Sequence, residues 1–131
     1  MATNQQLVQS LYAAFASGDV PAVLGAFHPQ IEWNEAENFL YADGNPYVGP
    51  ATVAAGVFQR IVQDVQNFSV TPERYHDAGD TVVVEGRYRG TMAATGRPVN
   101  AQFVHVWHWR DGKVVRFQQY TDTHQWRAAA G

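Results

Sequence analysis

The chain has 131 residues, of which 46% are hydrophobic and 16% charged, which is typical of one folded domain with a buried core rather than a disordered protein. A net charge of −3 without a run of Lys or Arg argues against a nucleic-acid partner, and the absence of Cys excludes disulfides and a Cys nucleophile. Neither a signal peptide nor an apolar run of membrane-spanning length is recognisable, so we expect a cytoplasmic protein without a membrane partner.

The chain begins with a pattern typical of two helices. Thr3 and Gln6 have the spacing of a capping box, and an apolar stripe at helical spacing follows as far as Gly18. Asp19 has the position of an N-cap for a second, short helix, which we expect Pro29 to end.

A short strand and a third helix follow. Residues 31–35 alternate in polarity, which predicts a strand with Glu35 on the same face as Ile31 and Trp33. Residues 38–49 contain turn-forming residues and are predicted to be an ordered loop or lid. Residues 50–65 carry an apolar stripe that predicts the third helix.

The second half of the chain is predicted to be β. Residues 68–76 form a strand that Pro72 places at an edge or makes irregular. A second strand is expected over residues 81–92, and a long hairpin lies within residues 99–124. The tail, residues 125–131, is expected to be frayed.

The hairpin turns at Asp111-Gly112, a dipeptide that readily supplies positive φ. Before the turn, the period of two places on one face Phe103, His105, Trp107 and Trp109, and on the other Val104, Val106 and His108. After the turn, one face is predicted to carry Val115, Phe117, Gln119 and Thr121, and the other Arg116, Gln118, Tyr120 and Asp122.

These elements predict a single α+β domain over residues 1–131. Three N-terminal helices would pack inside a curved, mostly antiparallel sheet and enclose a cone that is open at one end. The aromatic residues expected to be largely buried are Phe15, Phe27, Trp33, Phe58, Phe103 and Trp107. On the outer face of the sheet, Val104 and Val106 beside Val115 or Phe117 would form an apolar patch, which predicts a homodimer.

Three titratable residues are candidates for catalysis. Glu35 is either a desolvated carboxyl with a raised pKa or a surface residue at a strand end. His105 is either a general acid–base group or a satisfied residue of the cavity wall. Asp122 is a second acid–base group, the partner that sets the His105 tautomer, or a residue that bonds nearby backbone.

The predicted ligand is a small apolar molecule, because aromatic residues surround these three groups. The residues predicted to bind it are Tyr12, Trp33, Tyr47, Phe103, Trp107, Gln118 and Tyr120. No nucleotide, dinucleotide or serine-hydrolase motif is present, so no cofactor is expected. His105 and His108 point to opposite faces of a strand, so no metal site is expected there.

Several short stretches together carry a family resemblance. They are A-S-G-D at residues 16–19, I-E-W-N-E at 31–35, Y-V-G-P at 47–50, D-G-K-V-V at 111–115 and Q-Q-Y-T-D-T at 118–123. Over nearly its whole length the chain resembles the nuclear-transport-factor-2-like superfamily, and within it the SnoaL-like proteins related to polyketide cyclases and ketosteroid isomerase. This resemblance implies a cystatin-like α+β barrel and a homodimer.

The resemblance also implies roles for particular residues. The isomerase base falls at Glu35, its oxyanion-hole acid falls at His105, and its oxyanion tyrosine falls at Leu11, one residue before Tyr12. The acid of the cyclases falls near Gln119. Arg87 and Asp122 could belong to the water-activating Asp-Arg-Asp set of the epoxide-hydrolase relatives.

Two hypotheses on function follow. The first is a small-molecule enzyme that transfers protons during isomerisation, cyclisation or hydration of an apolar ligand, with Glu35 as the general base and His105 stabilising an enolate oxygen. The second is a non-catalytic module of the same fold that binds a small ligand.

Overall fold

The computed structural model describes residues 2–131. Its α-helices are α1 Asn4–Ser17, α2 Val20–Gly25, α3 Pro50–Val53, α4 Gln59–Asp64 and α5 Thr123–Ala130. Its strands are β1 Phe27–Asn34, β2 Tyr47–Val48, β3 Val65–Asp77, β4 Thr81–Met92, β5 Pro98–Arg110 and β6 Lys113–Thr121. A 3₁₀ turn, Ala42–Gly44, precedes β2, and a π-helical turn, Ala54–Phe58, joins α3 to α4.

The six strands form one mixed sheet in the order β2-β1-β6-β5-β4-β3. All neighbouring pairs are antiparallel except β1 and β6, which run parallel, with Trp33 beside Phe117. This pairing joins the N-terminal helical part of the chain to the C-terminal hairpin. The predicted α+β class with a mostly antiparallel sheet is therefore confirmed.

The predicted caps of the first two helices are confirmed. The Gln6 amide donates to Thr3 Oγ1 at 3.1 Å, and the Thr3 amide donates to Gln6 Oε1 at 2.9 Å. Asp19 accepts from the amide of Ala22. The prediction that Pro29 ends α2 is wrong, because Pro29 lies within β1, where the pairing with β6 is interrupted and the missing N–H costs no ladder bond.

The third predicted helix is composed of α3, the π-helical turn and α4, and it ends at Asp64 rather than at Val65, which begins β3. Gly56 in the π-helical turn lies against the Tyr47 ring, and any side chain there would collide with that ring. The close approach allows β2 to pack against this helix, and it directs Tyr47 toward the helix.

The C-terminal hairpin contains a shift in register between His108 and Trp109. The shift moves one residue out of strict alternation after the turn, so Val114 is buried and Val115 is only half-buried. The predicted face of Val115 is therefore wrong. Phe117 lies on the inner face, where its side chain is 1% exposed.

The prediction of a frayed tail is also wrong. Residues 123–130 form α5, whose first turn is capped by the Asp122 carboxylate, which accepts from the amide of Gln125 at 3.2 Å. Trp126 anchors this helix with a side chain that is 1% exposed. Its ring packs against those of Phe39 and Tyr88.

The aromatic core largely matches the expectation. Phe27, Trp33, Phe103 and Trp107 are buried. Phe15 and Phe58 are only half-buried, because they line the cavity described below. The described residues contain no helix that is both long enough and apolar enough to span a membrane.

Candidate active site

The inner face of the sheet and the helices enclose a cavity of about 350 Å³. Its walls are mostly apolar and include Phe15, Val57, Phe58, Ile61, Phe68 and Phe117. Val20 and Val62 also line it although their side chains are exposed, so the cavity opens to solvent between α2 and α4.

Glu35 is the residue that directly follows β1, and its side chain lines this cavity. Its backbone is held by the Asn45 side chain, which accepts from the Glu35 amide at 2.9 Å and donates to the Glu35 carbonyl at 2.8 Å. The next amide, that of Ala36, donates to Gln119 Oε1 at 3.1 Å. Two side-chain amides therefore fix the backbone here beyond the end of the strand.

The Glu35 side chain is 3% exposed, and burial raises the pKa of its carboxyl from 4.5 to about 8. The Trp33 indole N–H and the positive charge of Arg60 oppose this shift of the pKa. The Trp33 N–H makes no hydrogen bond among the described residues, and burial remains the larger effect on the pKa of Glu35. Glu35 is therefore mostly protonated at neutral pH, and the base form is within easy reach.

His105 lies on the cavity wall between two tyrosines. Its Nδ1 is 2.6 Å from the Tyr12 hydroxyl, and its Nε2 is 2.5 Å from the Tyr88 hydroxyl. Burial lowers the pKa of His105 to about 3, so the ring is neutral at physiological pH. Both ring nitrogens are occupied, so His105 has no free N–H to offer to a ligand.

The two tyrosines extend this network in both directions. The Trp107 indole N–H donates to the Tyr12 oxygen at 3.1 Å, and Gln119 Nε2 donates to the Tyr88 oxygen at 2.9 Å. Burial raises the pKa of both phenols well above the usual value, which keeps them protonated. The network therefore presents neutral polar groups to an otherwise apolar cavity.

Five of the residues predicted for the site share the lining of this cavity, namely Tyr12, Trp33, Glu35, His105 and Trp107. The predicted strand at residues 31–35 and the alternation along the hairpin had placed Trp33, Glu35, His105 and Trp107 on the side of the sheet that faces the cavity. Phe103 lies behind the lining, and its ring stacks on that of His105 with 3.9 Å between centroids.

The remaining predicted positions are wrong. Asp122 caps α5 and does not contact His105. Gln118 and Tyr120 lie on the outer face of β6, where Tyr120 is 55% exposed. Tyr47 is buried away from the cavity and donates to the Tyr41 carbonyl at 2.6 Å.

The structure does not assemble the water-activating set that the resemblance implied. Arg87 lies on the outer face of the sheet and donates to the Asn100 carbonyl at 3.1 Å. Among residues 2–131, no three His, Asp or Glu side chains are grouped closely enough to hold a metal ion.

Three residues of the site, Asn45, Tyr88 and Gln119, are not among the predicted site residues. The alternation of β4 and β6 does place Tyr88 and Gln119 on inner faces, so their position could have been found. Their role depends on partners in other strands. Asn45 lies in the loop that was predicted to be ordered, and its sequence neighbours carry no signal for its contact with Glu35.

The comparisons with known proteins agree with this fold. An NTF2-like protein from Burkholderia thailandensis is 35% identical, with 100% of this chain and 99% of that chain covered and a TM-score of 0.95. An NTF2-like protein of unknown function from Burkholderia pseudomallei is 29% identical, with 99% and 98% covered and a TM-score of 0.89. TerC, co-crystallised with polyporic acid, is 25% identical, with 98% of each chain covered and a TM-score of 0.86.

None of the curated proteins matches the chain. The family model of the SnoaL-like domain matches residues 8–117, which include β1, the helices on the cavity and most of the hairpin. The chain therefore belongs to the SnoaL-like domain family, within the NTF2-like proteins.

Proposed function

We propose that the protein is a small-molecule enzyme that moves a proton at a carbon next to a carbonyl group of an apolar ligand, with Glu35 as the general base. The observation that carries this proposal is the buried Glu35 carboxyl on the wall of an apolar cavity, with its pKa raised to about 8. Such a pKa is close to the operating pH, where a general base is most effective.

The proposed step moves one proton and its electron pair and needs no cofactor. The Glu35 carboxylate takes a proton from the carbon, the C–H electron pair forms a carbon–carbon double bond, and the carbonyl π electrons move to the oxygen. Transfer of the proton from the Glu35 carboxyl to another carbon completes an isomerisation. If the carboxyl proton is first replaced by one from solvent and then returned to the same carbon, the result is an exchange.

The size and polarity of the cavity favour a neutral organic ligand. A charged ligand would exchange its hydration for walls that are mostly aromatic and aliphatic, at a large cost in free energy. TerC, which shares this fold, has been co-crystallised with a small organic molecule, polyporic acid. This relative supports a small-molecule ligand for the present chain.

The test uses 2-acetylnaphthalene, a neutral ketone with exchangeable protons beside its carbonyl. In deuterated buffer, we expect the protein to accelerate deuterium incorporation into the acetyl methyl group, measured by proton NMR. The rate should rise with pH and level off above about pH 8, where Glu35 is ionised. Glu35→Gln should lower the rate on the order of 10²–10⁴-fold, because it removes the base.

Glu37→Gln is the matched control, since it makes the same change on an exposed residue two positions away. Binding of the ketone without accelerated exchange would contradict the enzymatic proposal and support a ligand-binding module. Equal exchange rates in the protein and in Glu35→Gln would remove Glu35 as the base.

We also propose that the protein forms a homodimer through the outer face of the sheet. Val104 and Val106 lie on this face and are half-buried, with Tyr120 exposed beside Val104. The Arg116–Glu32 ion pair and the His76–Glu85 hydrogen bond lie on the same sheet. Glu85 lies opposite Val104 and Arg116 lies opposite His108, so the proposed interface would combine apolar and charged groups that a second copy can complement.

Sedimentation equilibrium at micromolar concentration should give the mass of a dimer. Val106→Glu should give a monomer, because it would bury one carboxylate from each subunit in the proposed interface. Val62→Glu introduces the same charge on an exposed residue of α4, which is not part of the sheet, and should remain dimeric. A wild-type monomer would contradict the proposed interface.

A further inference from the structure

The hydrogen-bond network beside Glu35 has five donor hydrogens but only four contacts, so one hydrogen is left over. It consists of Trp107, Tyr12, His105, Tyr88 and Gln119, joined in that order. His105 lies at the centre between the two phenols. Trp107 donates to the network at one end, and Gln119 donates at the other end.

The donors at the two ends cannot reverse. The Trp107 indole nitrogen can only donate. The Gln119 amide is oriented by Ala36, whose backbone N–H must face an acceptor and therefore meets Oε1. Nε2 of Gln119 thus points to the Tyr88 oxygen as a donor. Each phenol oxygen already accepts one hydrogen bond from outside the His105 contact.

A neutral His105 carries one N–H and one acceptor nitrogen. It can accept a hydrogen from one phenol, and it must donate its own hydrogen to the oxygen of the other. The second phenol then accepts two hydrogen bonds, and its own hydrogen has no acceptor inside the network. Both phenols line the cavity, so the spare hydrogen is available to a ligand there.

The spare hydrogen can belong to either Tyr12 or Tyr88, and the geometry favours Tyr88. Gln119 contacts both the Tyr88 oxygen and the amide of Ala36, so Tyr88 lies at the end of the network next to Glu35. Tyr12 lies at the opposite end, beside Trp107. A ligand whose reacting carbon meets Glu35 therefore presents its neighbouring oxygen to Tyr88.

We propose that the Tyr88 hydroxyl is the donor that binds the carbonyl or enolate oxygen of the ligand, while His105 donates to Tyr88 from Nε2 and accepts from Tyr12 at Nδ1. This inference rests on the proposed function, since it names the substrate class of the same site as compounds with an acceptor oxygen next to the reacting carbon. His105 is then a positioning residue that does not touch the ligand. The two hydrogen bonds accepted by the Tyr88 oxygen polarise its O–H and strengthen its donation.

The test compares 2-acetylnaphthalene with 2-isopropylnaphthalene, a hydrocarbon of similar shape that lacks the oxygen. Calorimetry should show that Tyr88→Phe weakens binding of the ketone about tenfold, the worth of one hydrogen bond to a buried carbonyl, and leaves binding of the hydrocarbon unchanged. Tyr120→Phe makes the same change on the outer face of the sheet and should leave the binding of both compounds unchanged.

A second measurement detects the hydrogen bond to the carbonyl oxygen directly. With a carbon-13 label in the carbonyl, the infrared band of the ketone bound to the wild-type protein should lie below its position in cyclohexane, and Tyr88→Phe should return it toward that position. A bound band at the cyclohexane position would overturn the proposal. Loss of the ketone preference in Tyr12→Phe but not in Tyr88→Phe would do the same.

The outcomes separate this inference from the proposed function. A lowered carbonyl band that depends on Tyr88, without deuterium exchange, would support the donor and contradict proton transfer by Glu35. Exchange that depends on Glu35, with a carbonyl band insensitive to Tyr88→Phe, would support proton transfer and contradict the donor.

Discussion

Raising the pH from about 6.5 to 8 should lower the free energy of unfolding of the wild-type protein by about 2 kcal/mol, and Glu35→Gln should abolish this loss. The reason is the difference between the Glu35 pKa of about 8 in the folded chain and its ordinary value of 4.5. Between these two values the folded chain keeps a proton that the unfolded chain releases. Stability therefore decreases as pH rises through this window.

His105 produces the opposite dependence at lower pH. Burial lowers the pKa of His105 from 6.5 to about 3. Between these two pH values the unfolded chain therefore binds a proton that the folded chain does not bind. This contribution to stability is present above pH 6.5 and is lost as pH falls toward 3. Where the two windows overlap, the two slopes cancel, which leaves a plateau in the free energy of unfolding bounded by a loss on each side.

The measurement is urea unfolding of the wild type, Glu35→Gln and Glu37→Gln at several pH values. The stability of Glu35→Gln relative to the wild type should rise by up to about 5 kcal/mol from acid to alkaline pH, whereas Glu37→Gln should follow the wild type. A constant difference between Glu35→Gln and the wild type would show that Glu35 titrates normally in the folded chain.

Trp126→Ala should destabilise the protein by about 3–5 kcal/mol, although the residue lies only five positions from the chain end. The indole ring is almost fully buried and packs against Phe39, Phe68 and Tyr88. Its removal would leave a cavity directly behind Tyr88, so binding of 2-acetylnaphthalene should weaken as well. Thermal unfolding and calorimetry measure the two effects.

His124→Ala is the control for this prediction, since His124 lies on the exposed side of the same helix. A change in the free energy of unfolding below about 0.5 kcal/mol is expected for it, as for most surface substitutions. If Trp126→Ala were equally mild, α5 would be a peripheral element, and the tail would be as weakly held as its sequence indicates.

The strand alternation predicted much of the site because the inner face of a sheet has a strict period. It placed His105 and Trp107 on one face of β5, and it placed Glu35 on the same side as Trp33. The fold class followed in the same way, from three helical stripes and a series of alternating strands. These signals are local, so a single sequence is enough to contain them.

The errors arose where a local signal is interrupted or weak. The register shift beside Trp109 leaves Val115 as an extra residue and puts Val114 on the inner face, and a bulge leaves no mark in the alternation itself. In the tail, the alanines after Arg127 give no apolar stripe that would predict α5, although Trp126 and Ala129 are buried in it. Asp122 near a strand end resembled a site residue, but its position before a helix made it an N-cap.

The hydrogen-bond network could not be predicted for a different reason. Tyr88 and Gln119 belong to strands that are not neighbours, and β5 with His105 lies between them. Their roles depend on which hydrogen each contact carries, and that information exists only after the strands have assembled.

The parallel pairing of β1 with β6 has a consequence for the order of folding. Glu32 and Arg116, which this pairing brings together, lie 84 positions apart in the chain, so the contact closes a long loop and is expected to form late. Glu35 is made early in synthesis, but the wall formed by Phe117 and Gln119 reaches it only when β6 docks. Until then its carboxyl is hydrated and ionised at neutral pH, so the chain takes up a proton from solvent at the moment the cavity closes.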